Sequence, residues 1–198
     1  MDVADRFREI RERLLELAQT DTDIAAIIEI GSQTRADQPA DQFSDLDVIL
    51  AAQEPSRYLY TEELISRLGN PLISFTEPTL AGATERRVLF EGSLDVDIVV
   101  VTPGQLRAAA ESGELAGILA RGRRVLFDRM GISDVLCTAP GQDPEKLMFQ
   151  EEFINTVNDF WFHTVWAAKK LRRGGALCSC DQHQRLSLPP AAAHDRAL

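Results

Sequence analysis

Two apolar strands in this sequence carry carboxylates where strands rarely tolerate them. Asp45 and Asp47 open a run that continues Val48, Ile49 and Leu50, with Leu46 between them. Asp is depleted in strands and is seldom buried without a partner. Residues two apart on a strand share a face, so the two carboxylates stand side by side. Like charges at that spacing raise each other's pKa and resist joint ionisation. The same anomaly recurs in Leu94-Asp95-Val96-Asp97-Ile98-Val99-Val100-Val101. If the two strands are neighbours in one sheet, Asp97 joins Asp45 and Asp47 in a single cluster, and a bridging divalent cation removes the conflict. Oxygen ligands without His or Cys favour Mg2+ or Mn2+ over zinc. A lone Asp-x-Asp at a strand start is usually a solvated turn. Two Asp-bearing apolar strands, preceded by Gly31-Ser32 at the end of a third, argue for a metal site.

The rest of the chain supplies a frame for that sheet. Val3, Phe7, Ile10, Leu14 and Leu17 recur at helical spacing. Ile24 to Ile30 read as a short, mostly apolar strand ending at Gly31, followed by a polar loop from Ser32 to Phe43. Asp45 to Ala52 form a second strand, Thr61 to Leu68 a short helix, and Leu72 to Glu77, Arg86 to Phe90 and Leu94 to Val101 three more strands. Glu91-Gly92-Ser93 is a hairpin turn between the last two. Pro103 opens a helix where its missing N–H is harmless, and Arg123 to Asp128 read as an edge strand. After a Pro/Gly-containing link from Thr138 to Pro144, a long helix follows. Leu147, Phe153, Ile154, Val157, Trp161, Val165, Ala168 and Leu171 trace one face of it, with Trp161 expected in a core. The fold class is α+β: a mixed sheet with flanking helices, then an incomplete C-terminal helical domain. The expected organisation is a domain over residues 1–140, the start of a helical domain over 141–173, and an irregular tail over 174–198 that lacks any helical period.

Composition narrows the function. The formal net charge of −10 argues against a broad basic surface for DNA or RNA and is compatible with a cationic small molecule. Three cysteines, Cys137, Cys178 and Cys180, do not make a disulfide framework, and with His183 they lack a standard zinc spacing. The N-terminus lacks the apolar run of a signal peptide, and no window approaches the roughly 20 apolar residues of a membrane span. A reduced, cytoplasmic protein is expected. There is no G-x-x-x-x-G-K-[ST] loop and no G-x-G-x-x-G fingerprint. Glycine at position 31 would let backbone N–H groups approach a phosphate, and Ser32 would add a hydroxyl.

Gly31-Ser32, a loop, Asp45-Leu46-Asp47 and an Asp on a later strand resemble the polymerase β-type nucleotidyltransferases. Ile30 to Arg35, Asp41 to Asp47, Val88 to Gly92, and Asn158 to Trp161 continuing through Ala167 to Leu171 are similar to the aminoglycoside 6-adenylyltransferase (streptomycin adenylyltransferase) family. The likeness runs from the first helix to about Arg173. The resemblance implies a nucleotidyltransferase (polymerase β-like) sheet and ATP-dependent transfer of AMP to a hydroxyl of a streptomycin-like aminoglycoside, an antibiotic-resistance reaction. Asp45 and Asp47 would hold Mg2+ (or Mn2+) on the triphosphate, and a second ion shared with Asp97 would orient the acceptor hydroxyl. Asp97 is the candidate general base. Gly31 and Ser32 would hold the outer phosphates, with charge added by Arg35. ATP and a cationic aminoglycoside are the implied partners; a membrane is not, nor is nucleic acid.

Three features depart from the family. Gln33 stands where such enzymes often carry Arg. Asp95 competes with Asp97 for the place of third carboxylate. The likeness stops near Arg173, where family members continue into a longer helical domain, and a truncated or frameshifted gene would give such an end. An exposed apolar stripe on an incomplete helical domain would favour a homodimer. The rival readings are a nucleotidyltransferase acting on a protein, an RNA end or a metabolite, and a non-catalytic nucleotide-binding module.

Overall fold

The carboxylate-bearing strands are central in a six-stranded mixed sheet. The computed structural model describes residues 3–35, 40–41, 43–79, 82–136 and 149–173. Its strands are β1 (Ile24–Ile30), β2 (Leu46–Ala52), β3 (Ile73–Pro78), β4 (Thr84–Phe90), β5 (Leu94–Val101) and β6 (Arg123–Asp128). They lie in the order β3-β4-β5-β2-β1-β6. Only β2 and β5 run parallel; every other neighbouring pair is antiparallel. The parallel pair needs a crossover, and the segment between β2 and β5 supplies it through two short helices and the β3–β4 hairpin.

Strand alternation splits the core into two layers. Leu46, Val48, Leu50 and Ala52 of β2, with Val96, Ile98 and Val100 of β5, face one side. There they pack on α1 (Val3–Thr20), α2 (Pro55–Tyr60) and α3 (Glu63–Leu68) through Phe7, Leu14, Tyr58, Leu64 and Leu68. Ile49 and Ala51, with Ala26 and Ile28 of β1, face the other side. They pack on α4 (Pro103–Ser112), α5 (Ala116–Ala120) and α6 (Ile132–Leu136) through Leu106, Leu119, Ile132 and Leu136. Helix α4 starts where Pro103 predicts, fixed by a capping box between Thr102 and Gln105. The strands fall within two residues of the sequence expectations. Helices α2, α5 and α6, five or six residues each, are too short to show a period in the sequence.

The chain divides into two compact units, Met1–Pro144 and Glu145–Leu198. In the second, α7 (Gln150–Arg172) carries Glu151 and Glu152 in its first turn and Lys169, Lys170 and Arg172 in its last, a charge order that suits the helix dipole. None of its residues is buried, and Trp161, expected in a core, is exposed. Its described ring neighbour is Phe160, edge-on at 5.3 Å. The expected boundary near residue 140, the Thr138 to Pro144 link, Leu147, the tail over 174–198 and all three cysteines lie outside the described residues. Among the described residues no helix is long and apolar enough to cross a membrane.

Candidate active site

Register brings the carboxylates together. In the parallel pair, Asp47 sits directly opposite Asp97, as Leu46 does opposite Val96. Asp45 precedes β2 by one residue and shares the face of Asp47. One ligand oxygen from each of Asp45, Asp47 and Asp97 lies within 4.8 Å of the others. Asp95 is on the same face but one strand repeat away, paired with Leu89 of β4, and it is outside this group. The cluster falls on the face covered elsewhere by α4 to α6.

Gly31 closes one side. It follows β1, whose last residue Ile30 pairs with Asp47. Its φ of +73° is a conformation that favours glycine, and a Cβ there would lie 2.0 Å from Asp47 Oδ2. Glycine is therefore required twice, by the turn and by the carboxylate. Gly31–Thr34 form one 3₁₀ turn. Ser32 Oγ lies 3.3 Å from both the backbone oxygen and Oδ1 of Asp45, so its hydroxyl points at the cluster. Arg35 ends the turn, its N–H donating to Ser32 O, and its charge lowers the pKa of Asp47.

The electrostatics are those of a cation site. Burial pushes Asp47 up to about 7; Asp45 and Glu85 push the same way, and Arg87 and Arg35 pull back. Burial also pushes Asp97 up to about 7, against Arg87 and helped by Asp95, Glu85 and Asp47. Asp95 is raised by burial and by Asp45. Asp97 is 7% exposed, and its Oδ1 is sealed from solvent with no hydrogen-bond partner among the described residues. A side chain with a buried carboxylate oxygen unpartnered among the described residues, grouped with two more carboxylates, fits a hard divalent cation, and the all-oxygen donor set fits Mg2+ or Mn2+.

Sequence reasoning passed over two neighbours. Arg87 of β4 pairs in register with Asp97, its Nη2 3.6 Å from Oδ2, and its Nε bonds Glu85 Oε1 at 3.0 Å. Burial works against the Arg87 charge, but Asp97, Glu85 and Glu77 outweigh it and its pKa rises. Arg86, one residue earlier, points to the opposite face, where it donates to Leu59 O at 3.1 Å and Ser74 Oγ at 2.9 Å. The signal was present as Glu85-Arg86-Arg87 inside an otherwise strand-like segment. Alternation assigns Glu85 and Arg87 to the carboxylate face once β4 is placed beside β5.

A carboxylate cluster on adjacent parallel strands beside a Gly-Ser turn, in a mixed sheet with helices on both faces, defines a nucleotidyltransferase-type domain. The chain belongs to the streptomycin adenylyltransferase family, whose model matches residues 6–184. That match extends past Arg173, where the sequence pattern breaks. Among solved structures the chain is similar to an aminoglycoside 6-adenyltransferase from Bacillus subtilis, at 17% identity and a TM-score of 0.40 over 82% of this chain and 56% of that one. It is also similar to terminal uridylyl transferase 4 from Trypanosoma brucei, solved with UPU, at 16% identity and a TM-score of 0.31 over 55% of this chain and 38% of that one. The chain thus spans just over half the length of the first of these and less of the second. No curated protein matches it.

Proposed function

We propose that this chain transfers AMP from ATP to a hydroxyl of a streptomycin-like aminoglycoside. The observation that carries the reading is the Asp45-Asp47-Asp97 group, with its buried, unpartnered Asp97 Oδ1. Membership of the streptomycin adenylyltransferase family supports ATP as the donor and an aminoglycoside as the acceptor. Divalent cations held there would neutralise charge on the triphosphate and on the departing pyrophosphate.

The chain's own residues have distinct tasks. Asp45 and Asp47 would hold the nucleotide's cation. Asp97 accepts the proton of the acceptor hydroxyl as that oxygen bonds to the α-phosphorus and the bond to pyrophosphate breaks. Gly31 and Ser32 hold the outer phosphates, and Arg35 adds positive charge beside them. Arg87 lies beside the Asp97 carboxylate and steadies its charge. The net charge of −10 favours a polycationic acceptor.

The test is pyrophosphate release by the folded chain with Mg2+, ATP and streptomycin. Release that depends on streptomycin and disappears in Asp97→Asn is expected. Release that is independent of streptomycin, or none from well-folded protein, removes the reading.

A further inference from the structure

Glu29 is the one carboxylate of β1, and it is fully buried. Its oxygens accept from Arg11 of α1, Nε at 3.0 Å and Nη2 at 2.7 Å, and from Arg124 of β6 at 3.3 Å. This fork explains how the charge is tolerated. It does not explain a further bond: Arg11 Nη2 also donates to Gln33 Oε1 at 3.0 Å. Gln33 lies in the Gly31–Thr34 turn.

The turn is gripped at three points. Gly31 abuts Asp47 so closely that a Cβ would lie 2.0 Å from its Oδ2. Gln33 is tied to Arg11. Thr34 is pressed by Gly122, where a Cβ would lie 2.5 Å from Thr34 O and where φ is +143°. Inside the turn, Thr34 Oγ1 donates to Gly31 O at 2.9 Å. Ser32 lies between the first two grips, its Oγ 3.3 Å from Asp45 O and Oδ1. Preorganised donors act without reorganisation during reaction, and small misplacements of such groups cost rate steeply.

We propose that Arg11, held by buried Glu29, is a positioning residue that sets the Gly31–Thr34 turn for nucleotide through Gln33. The inference rests on the proposed reaction for its functional meaning and on the turn geometry for its physical content. Gln is suited to the place because it offers an acceptor oxygen to a guanidinium; an Arg at 33 would set two cations against each other.

Gln33→Leu isolates the link, because Gln33 is only part-buried and the Arg11–Glu29 fork stays intact. Hydrogen exchange of the 31–35 amides is expected to quicken about tenfold, with α1 and β1 protection and the melting temperature unchanged. The KM for Mg-ATP is expected to rise about tenfold, with the streptomycin KM unchanged. Gln33→Glu, which restores an acceptor for Arg11, should return exchange to the wild-type rate, whereas Arg11→Lys, which loses the fork, should loosen the turn. Wild-type exchange in the turn of Gln33→Leu overturns the proposal. A wild-type chain that consumes no nucleotide instead sinks the proposed reaction, and exchange still decides the turn.

Discussion

Glu29 and Asp97 are both carboxylates on interior strands of one sheet, 0% and 7% exposed. Their surroundings are opposite. Glu29 meets two guanidiniums, one of them through a two-bond fork. Asp97 meets two carboxylates, a guanidinium 3.6 Å away that it shares with Glu77 and Glu85, and no hydrogen-bond partner for Oδ1 among the described residues. Burying a charge is costly unless something compensates it. At Glu29 the chain supplies the compensation, so that carboxylate is part of the fold. At Asp97 the chain adds negative charge and only one guanidinium, so that carboxylate is held partly by protonation and suits a cationic ligand. The same physical anomaly thus marks part of the fold in one place and, on the proposed function, the reaction site in the other, by its partners.

The comparison can be broken most sharply at Asp97. Asp97→Asn should lower pyrophosphate release at least about 10³-fold, roughly 4 kcal/mol of barrier, while the metal-free protein melts higher because like charges have been removed. A variant that melts lower and keeps its activity would place Asp97 with Glu29, in the fold. The reverse is expected of Glu29→Ala, which strands Arg11 beside an apolar strand. Urea unfolding should show a loss of about 3–5 kcal/mol, and a loss near zero would mean that the fork contributes nothing to the fold.

Proton linkage sharpens the contrast further. Asp47 and Asp97 titrate near 7 in the metal-free fold, above the ordinary value of 3.8. The folded state therefore holds protons that the unfolded chain has released. The stability they contribute is fully present below about pH 4 and is lost as pH rises to 7. Asp21 and Asp128, whose pKa values are lowered, act in the other direction. The informative quantity is therefore the difference between wild type and the Asp47→Asn, Asp97→Asn double variant. That difference should grow by several kcal/mol from pH 4 to pH 8, at most about 9 kcal/mol for two shifts of this size and less because the groups are coupled and partly solvated, and Mg2+ should shrink it at pH 8 but not at pH 5. A pH-independent difference would contradict the cluster's electrostatics. The smallest effect is expected at Ser32→Ala, about tenfold or less in kcat/KM for ATP, since one neutral hydroxyl is removed.

Much of this arrangement is legible in the sequence because strands make charge conspicuous. Asp45, Asp47 and Asp97 stand out against Leu, Val and Ile; alternation gives Asp45 and Asp47 one face, and the β2–β5 register adds Asp97 to it. The β4–β5 hairpin is equally plain, with Gly92 and Ser93 both at positive φ in its turn. Glu29 is just as anomalous in Ile24–Ile30, yet it reads as a blemish in an apolar strand. Its partners come from positions 18 residues before and 95 residues after, and only the fold brings them together. Arg87 is hidden for a related reason, since its face is defined only once β4 pairs with β5. Trp161 shows the converse limit: a helical period gives the apolar face of α7 but not what covers it.

The central claim is that the uncompensated carboxylates await a cation carried with nucleotide. Calorimetry of a non-hydrolysable ATP analogue, with Mn2+ or with EDTA, tests it on wild type and Asp47→Asn. The account predicts that binding requires Mn2+ in wild type and is lost in Asp47→Asn. Equal binding by both proteins, or binding in EDTA as tight as with Mn2+, would contradict it.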